Sequence, residues 1–297
     1  MKGRLIVVLA SAALVALGLF APSALNAIFN VVDMALGWAG PFWAVTVLSA
    51  VVGVLFIMAF PHVSSQNGIK AVKGRIKYNL LAIRIFQDDL PTVLKSTGGT
   101  LGWNFAYIGL NLLPMVVLAA PFMVVWFQLN ALYAFDPLPA GAQRLVIAEL
   151  SVGSDPTQVQ IEAPSGLTLL RTVRLADSKE PRLLIQVRAD QPGRHVLTLR
   201  SGAETVTKEI AVGERGRRLA AMRTSEPLSR FAAAQDPIVW FGEPVLPSTS
   251  FVRAVHVDYP PMPLGFLDGG EISIMIWFVV VSLIVGFGLK GVFGVEI

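Results

Sequence analysis

Three histidines, His62, His195 and His256, are the residues best suited to proton transfer or metal ligation in this 297-residue chain. They lie far apart. His195 and His256 each fall in a strand-like run, and a metal site would need them to converge with carboxylates such as Glu162 or Asp258. There is no cysteine, which excludes disulfides, thiolate metal sites and cysteine nucleophiles. HExxH, GxxxxGK[ST] and GxSxG patterns are all missing. The expectation is a non-enzymatic protein with no cofactor and no metal.

Two other groups of residues carry more information. Asn104, Tyr107 and Asn111 recur at i, i+3 and i+7, on one face of a helix, within a stretch that has no charge from residue 96 to 135. Among apolar neighbours such a face points to protein or water. It either lines a groove or supplies interhelical hydrogen bonds. The second group is basic. Lys70, Lys73, Arg75, Lys77, Arg84 and Lys95 face only Asp88 and Asp89. Ile76, Leu80 and Ile83 form a separate apolar face on the same helical pattern. This segment either receives a substrate or lies as an anchor on anionic lipid, where each basic residue is worth about 1 kcal/mol.

The elements that must hold these residues are largely apolar. Hydrophobic residues make up 54% of the chain and charged residues only 15%, with a mean hydropathy of +0.63, where a soluble domain carries about 25% charge. The net charge of +4 fits cytoplasmic loops facing anionic lipid better than it fits nucleic acid. The organisation reads as follows. Residues 1–21 form an uncleaved signal-anchor, because no small-x-small cleavage site follows the apolar run. Residues 22–40 form an amphipathic helix in the membrane interface, with Leu25, Ile28, Val32 and Leu36 opposite Asn26, Asn30 and Asp33. Residues 41–61 form a second span, ended by Pro61 and His62, with an apolar core of roughly 28 Å.

Residues 62–98 form a cytoplasmic basic helical hairpin, broken at Pro91. Residues 99–135 form a third span containing Pro114 and Pro121. Gln128 and Asn130 fall at its outer end with Trp126 and Tyr133, as in an aromatic belt. Residues 136–213 are polar and alternate with period two: RLVIAEL, TQVQIEA, LTLLRTVRL, RLLIQVRA, RHVLTLR and TVTKEIAV. Turn residues separate these runs, and the pattern reads as an antiparallel β-sandwich of immunoglobulin-like type. Residues 214–271 are a loop region with a short helix near Pro227 and a return strand in SFVRAVHVDYP. Here Arg215, Arg217 and Arg218 make a charge run. Trp240 and Phe241 make an apolar patch that packs on the sandwich or docks a partner. Residues 272–290 are the fourth span and 291–297 a cytoplasmic tail. The fold class is thus a multi-pass α-helical membrane protein of about four transmembrane helices with an inserted extracytoplasmic β-domain. Basic residues place both termini in the cytoplasm of a bacterial inner membrane and the β-domain in the periplasm.

Over residues 27–133 this order resembles the YidC/Oxa1/EMC3 superfamily of membrane protein insertases in reduced form. IFNVVDMALGWAG is similar to the peripheral helix before the first core span. The cationic residues 68–95 are similar to the cytoplasmic hairpin, and NLLPMVVLAAPFMVVWFQLNALY to the following span. The resemblance implies a polar intramembrane groove lined by Asn104, Tyr107 and Asn111, and a hairpin that receives nascent membrane proteins. Two features depart from it. The span at 42–60 has no charge, where the family usually carries a positive one, and a β-domain with one further span replaces the family's later core helices. The alternative is an accessory subunit of a larger membrane complex, docking through its β-domain and through small-residue faces such as Gly286, Gly288 and Gly291. The expected partners are lipids and membrane proteins.

Overall fold

The computed structural model describes residues 2–176, 179–213, 218–225 and 243–296. The expected helix near Pro227, the Trp240–Phe241 patch, and Arg215 and Arg217 lie outside the described residues. The chain divides into two compact units: Met1–Ala21, Thr46–Val125 and Trp277–Ile297 form one, and Pro22–Val45 with Trp126–Ile276 form the other.

The first unit is helical. Among the described residues four helices are long and apolar enough to cross a membrane: α1 (Lys2–Phe20), α3 (Pro41–Val63), α5 (Leu90–Tyr133) and α6 (Gly270–Leu289). α2 is Pro22–Leu36 and α4 is Gln66–Ile85. Within the first unit α3 and α6 run in the same direction. Trp277 Nε1 donates to Thr46 Oγ1 at 2.8 Å and Ser282 Oγ to Ser49 O at 3.0 Å. Gly53 is the residue that permits this packing: a Cβ there would lie 2.5 Å from Ser282 O. α1 runs against α3, with Gly3 beside the His62 ring.

α3 continues through Pro61 to Val63, two residues beyond the expected end. A proline removes only its own N–H from the ladder, and Ser64 N still donates to Phe60 O at 2.9 Å. α4 and the first part of α5 form an antiparallel hairpin. Gly68 meets Leu110, the Arg75 guanidinium stacks 4.2 Å from the centre of the Trp103 ring, and Gly99 meets Asn79. Pro91 occupies the start of α5, where a proline is tolerated. α5 then runs unbroken for 44 residues through Pro114 and Pro121. The second arm of the hairpin and the third apolar segment are therefore one helix.

The second unit is β-rich. Among the described residues its strands are β1 (Gln143–Leu150), β2 (Gln160–Glu162), β3 (Leu167–Leu175), β4 (Arg182–Ala189), β5 (Gly193–Ser201), β6 (Glu204–Val212), β7 (Met222–Thr224) and β8 (Val252–Val257). They form a five-stranded sheet, β3-β4-β1-β8-β7, and a three-stranded sheet, β2-β5-β6. Every strand pairing is antiparallel. Alternation builds the core. Leu183, Ile185, Val187 and Ala189 of β4 are fully buried and pack with Leu197 and Leu199 of β5 and with Val252, Val255 and Val257 of β8 in one cluster drawn from both sheets. Gly202, at φ 58°, makes the tight turn between β5 and β6 that a branched residue would strain. The return strand β8 is internal, held between β1 and the edge strand β7.

Candidate functional site: a groove between apolar helices

In the first unit, α3, α5 and α6 enclose a groove of about 410 Å³. Its walls are almost wholly apolar, with Phe56, Phe60, Phe122 and Phe287 contributing the largest side chains. Only Tyr107, Asn111 and Ser282 bring polar atoms to it, and no lining residue is charged. Ser282 is satisfied by Ser49 O and by Phe278 O, the latter at 2.6 Å. Asn111 is half satisfied. Its Nδ2 donates to Tyr107 O at 2.8 Å, while its Oδ1 is buried with no partner. An acceptor left unpaired away from water costs about 1–3 kcal/mol. The groove therefore offers apolar volume, and one unpaired acceptor, Asn111 Oδ1, lies buried in its wall.

Two of the three residues expected to line a groove are brought to it. Asn104 is not. It sits on the same face of α5 but two turns before Asn111, about 10 Å along the axis, and is not among the lining residues. There it is exposed, and its Nδ2 donates to Thr100 O at 2.9 Å. The hairpin residues Lys70, Arg75, Lys77 and Arg84 are exposed on α4, while Lys73 is partly covered and pairs with Glu296 Oε2 at 3.3 Å. Beside the start of α4 a second hollow, of about 390 Å³, is lined by Arg4, His62, Ser64 and Ser65 as well as Leu110.

Compared with protein-family models, with curated proteins and with solved structures, the chain matches none. The geometry alone therefore carries the functional reading.

The second unit holds polar chemistry that sequence pattern assigned elsewhere. Asn26, Asn30 and Asp33 of α2 read as the wet face of an interfacial helix, but they meet protein. Gln128 Nε2 donates to Asn26 Oδ1 at 3.0 Å and Tyr133 Oη to Asp33 Oδ1 at 2.6 Å. Arg218 donates to Asn30 Oδ1 at 2.8 Å and to Asn26 O at 3.1 Å. Burial pulls the Arg218 guanidinium down to about 10, against the opposing effects of Asp33 and Tyr133. Trp126, Gln128, Asn130 and Tyr133, expected at an outer boundary, are all buried. For Gln128 and Tyr133 the partners lie about a hundred positions away, on α2, which no local pattern displays.

A second buried centre is Lys208, 1% exposed, whose Nζ donates to Glu243 Oε2 and to Ala220 O. Burial holds its pKa below the ordinary lysine value, and Glu243 opposes that shift. Glu243 also accepts from Glu209 N at 2.8 Å. Tyr259 lies in the same small hollow. Its hydroxyl accepts from Ala211 N at 2.9 Å, and burial raises its pKa. This is a structural centre, because Lys208 is matched by Glu243 and Arg194 by Glu209 and the space left is water-sized. His195 and His256 stand in different sheets, on β5 and β8. The described residues contain no group of three His, Cys, Asp or Glu side chains that could hold a metal.

Proposed function

We propose that this chain is a non-enzymatic membrane protein insertase or membrane chaperone of the YidC/Oxa1/EMC3 kind. The observation that carries this reading is the groove between α3, α5 and α6, apolar except near Tyr107, Asn111 and Ser282. A client membrane segment laid there buries its apolar side chains against Phe56, Phe60 and Phe122. A hydroxyl or amide donor on the client meets Asn111 Oδ1. Moving an unpaired polar group into hydrocarbon costs roughly 2–7 kcal/mol, and a hydrogen bond inside the groove recovers part of that. No covalent step is required. The exposed basic residues of α4 receive the client at the anionic membrane surface. In this reading the four apolar helices span a bacterial inner membrane with the basic hairpin in the cytoplasm. The β-unit is an immunoglobulin-like sandwich in the periplasm, and bears on partners there.

The test is insertion of a short, single-span client into proteoliposomes holding the purified protein. Wild-type protein raises insertion over empty liposomes, and Asn111→Leu lowers it several-fold for clients with a central Ser or Asn while sparing an all-Leu client. Equal insertion by protein-containing and empty liposomes would sink the proposal.

The second reading, an accessory subunit of a larger complex, is favoured by one observation. Gly288 and Gly291, at and after the end of α6, have no heavy atom within 4 Å of the space a Cβ would fill. Such open backbone suits close approach by another helix. Purification from native membranes separates the two. One stoichiometric partner set supports the subunit, whereas nascent chains or a scatter of small membrane proteins support the insertase.

A further inference from the structure

After α6 the chain turns back. Val295 is buried in a cluster with Ile57, Phe60, Val63, Ile69 and Leu118. The next residue, Glu296, is held by its main chain as well as its side chain. Its N–H donates to Gln66 Oε1 at 2.8 Å, while Gln66 Nε2 donates to Glu296 O at 3.3 Å and also to Ser64 Oγ at 2.5 Å. Lys73, two turns along α4, pairs with the Glu296 carboxylate. One carboxamide thus reads both the N–H and the C=O of one residue, as a neighbouring β-strand would. An apolar pocket takes the side chain before it, and a cation takes its own.

Nothing in that set is specific to this tail. Reading the main chain through a carboxamide is indifferent to sequence. The pocket asks only for an apolar side chain and Lys73 only for an acid. We infer that the elbow between α3 and α4 is a peptide-binding site for short apolar–acidic segments, occupied here in cis by Val295 and Glu296. Ile57 and Phe60 belong both to the cluster around Val295 and to the wall of the larger groove. Departure of the tail therefore alters one wall of that groove. The inference stands apart from the insertase reading, because it concerns binding at the elbow and not insertion.

The test uses the full chain in detergent micelles and a fluorescent acetylated peptide, Gly-Val-Phe-Gly-Val-Glu, followed by polarisation. The double variant Val295→Asp with Glu296→Lys frees the elbow. It is expected to bind the peptide about tenfold or more tighter than wild-type. Adding Gln66→Ala, or giving the peptide Lys in place of its Glu, removes that gain. Glu296→Lys alone, at a half-exposed side chain that the core does not need, gives a smaller gain and guards against misfolding of the double variant. The inference is overturned if the freed elbow binds no tighter than wild-type. Binding that ignores both Gln66 and the peptide's charge overturns it equally, since that is partition into the micelle.

Discussion

The two units use their apolar residues differently. In the β-unit Leu, Val and Ile point inward and fill one large core, and pairs such as Arg200–Glu162 stand outside it. In the helical unit many large apolar residues stand outside: Ile6, Phe105, Val116 and Ile284 are each exposed by more than half. Its buried apolar cluster is small, built on Ile57, Phe60, Val63, Ile69, Leu118 and Val295, and α3 and α6 meet through small residues and hydroxyls, at Gly53, Thr46, Ser49 and Ser282. Water drives the first arrangement, because apolar area withdrawn from it is worth about 25 cal/mol per Å². That force is missing between helices in lipid, where close backbone approach and hydrogen bonds take over. The difference is the physical basis for reading the helical unit as membrane-embedded, and substitutions at matched sites put it to the test.

The largest effect is expected from an acid placed in each unit. Leu199→Asp puts a charge at a fully buried position of β5 and should unfold the β-unit, at a loss above about 4 kcal/mol. Ile284→Asp lies at an exposed position of α6 outside the groove. In water it would be near neutral. In a bilayer it costs about 2.5–3.5 kcal/mol and lowers membrane integration. Carbonate extraction and limited proteolysis of the two variants distinguish the cases. Full integration of Ile284→Asp counts against a lipid-facing surface on α6.

Next comes the buried ion pair. Glu243→Gln leaves Lys208 without its counter-charge, at a cost of about 3–5 kcal/mol. The double change Lys208→Met with Glu243→Leu should return stability to near wild-type. Urea midpoints of the three proteins, read from the β-unit, decide it. A single variant as stable as the double one would mean that the pair is not desolvated.

Gly53→Val tests the helical unit's way of packing. A Cβ at 2.5 Å from Ser282 O forces α3 and α6 apart, at about 1–3 kcal/mol. Thermal melting in detergent should fall, while the β-unit's urea midpoint stays unchanged.

The smallest effect is in pH, and it belongs to the β-unit. The Thr157 N–H holds Asp155 below its ordinary carboxylate value, and the Thr168 hydroxyl does the same for Asp190. A lowered folded pKa means stability that is present above the unfolded value and lost as pH falls through the folded one. Lys208 is also lowered. The unfolded chain then binds the proton that the folded chain resists, so stability rises with pH from the lowered value up to the ordinary lysine range. Urea midpoints should fall below pH about 4, through the two carboxylates. With Lys208→Met, the rise on the alkaline side should diminish.

How much of this was written locally in the sequence follows the same division. Period-two runs gave the strands closely: LTLLRTVRL spans the whole of β3 and RLLIQVRA the whole of β4. β4 carries a strict in–out alternation, while a register shift between Leu169 and Arg171 interrupts it in β3. β7, three residues long, has no such signal and exists because β8 pairs with it. Apolar length showed the four long helices. It did not show that α5 would absorb the hairpin's second arm, since that depends on Gly99 meeting Asn79 across the hairpin. Of the candidate site, the period of α5 put Tyr107 and Asn111 on one face with Asn104. Where the groove stops along that face is set by α3 and α6, far away in sequence. The polar face of α2, and the tail at Gln66, were legible as polar but not as partnered.

The most direct measurement of the proposed activity is site-specific photo-crosslinking in cells synthesising a short membrane protein, with the probe at position 111 in one strain and at 104 in another. Tyr107 and Asn111 line the groove and Asn104 does not, so adducts to nascent client should form strongly from 111 and weakly from 104. Equal labelling from both positions, or client adducts from neither, would contradict a client-holding groove between α3, α5 and α6.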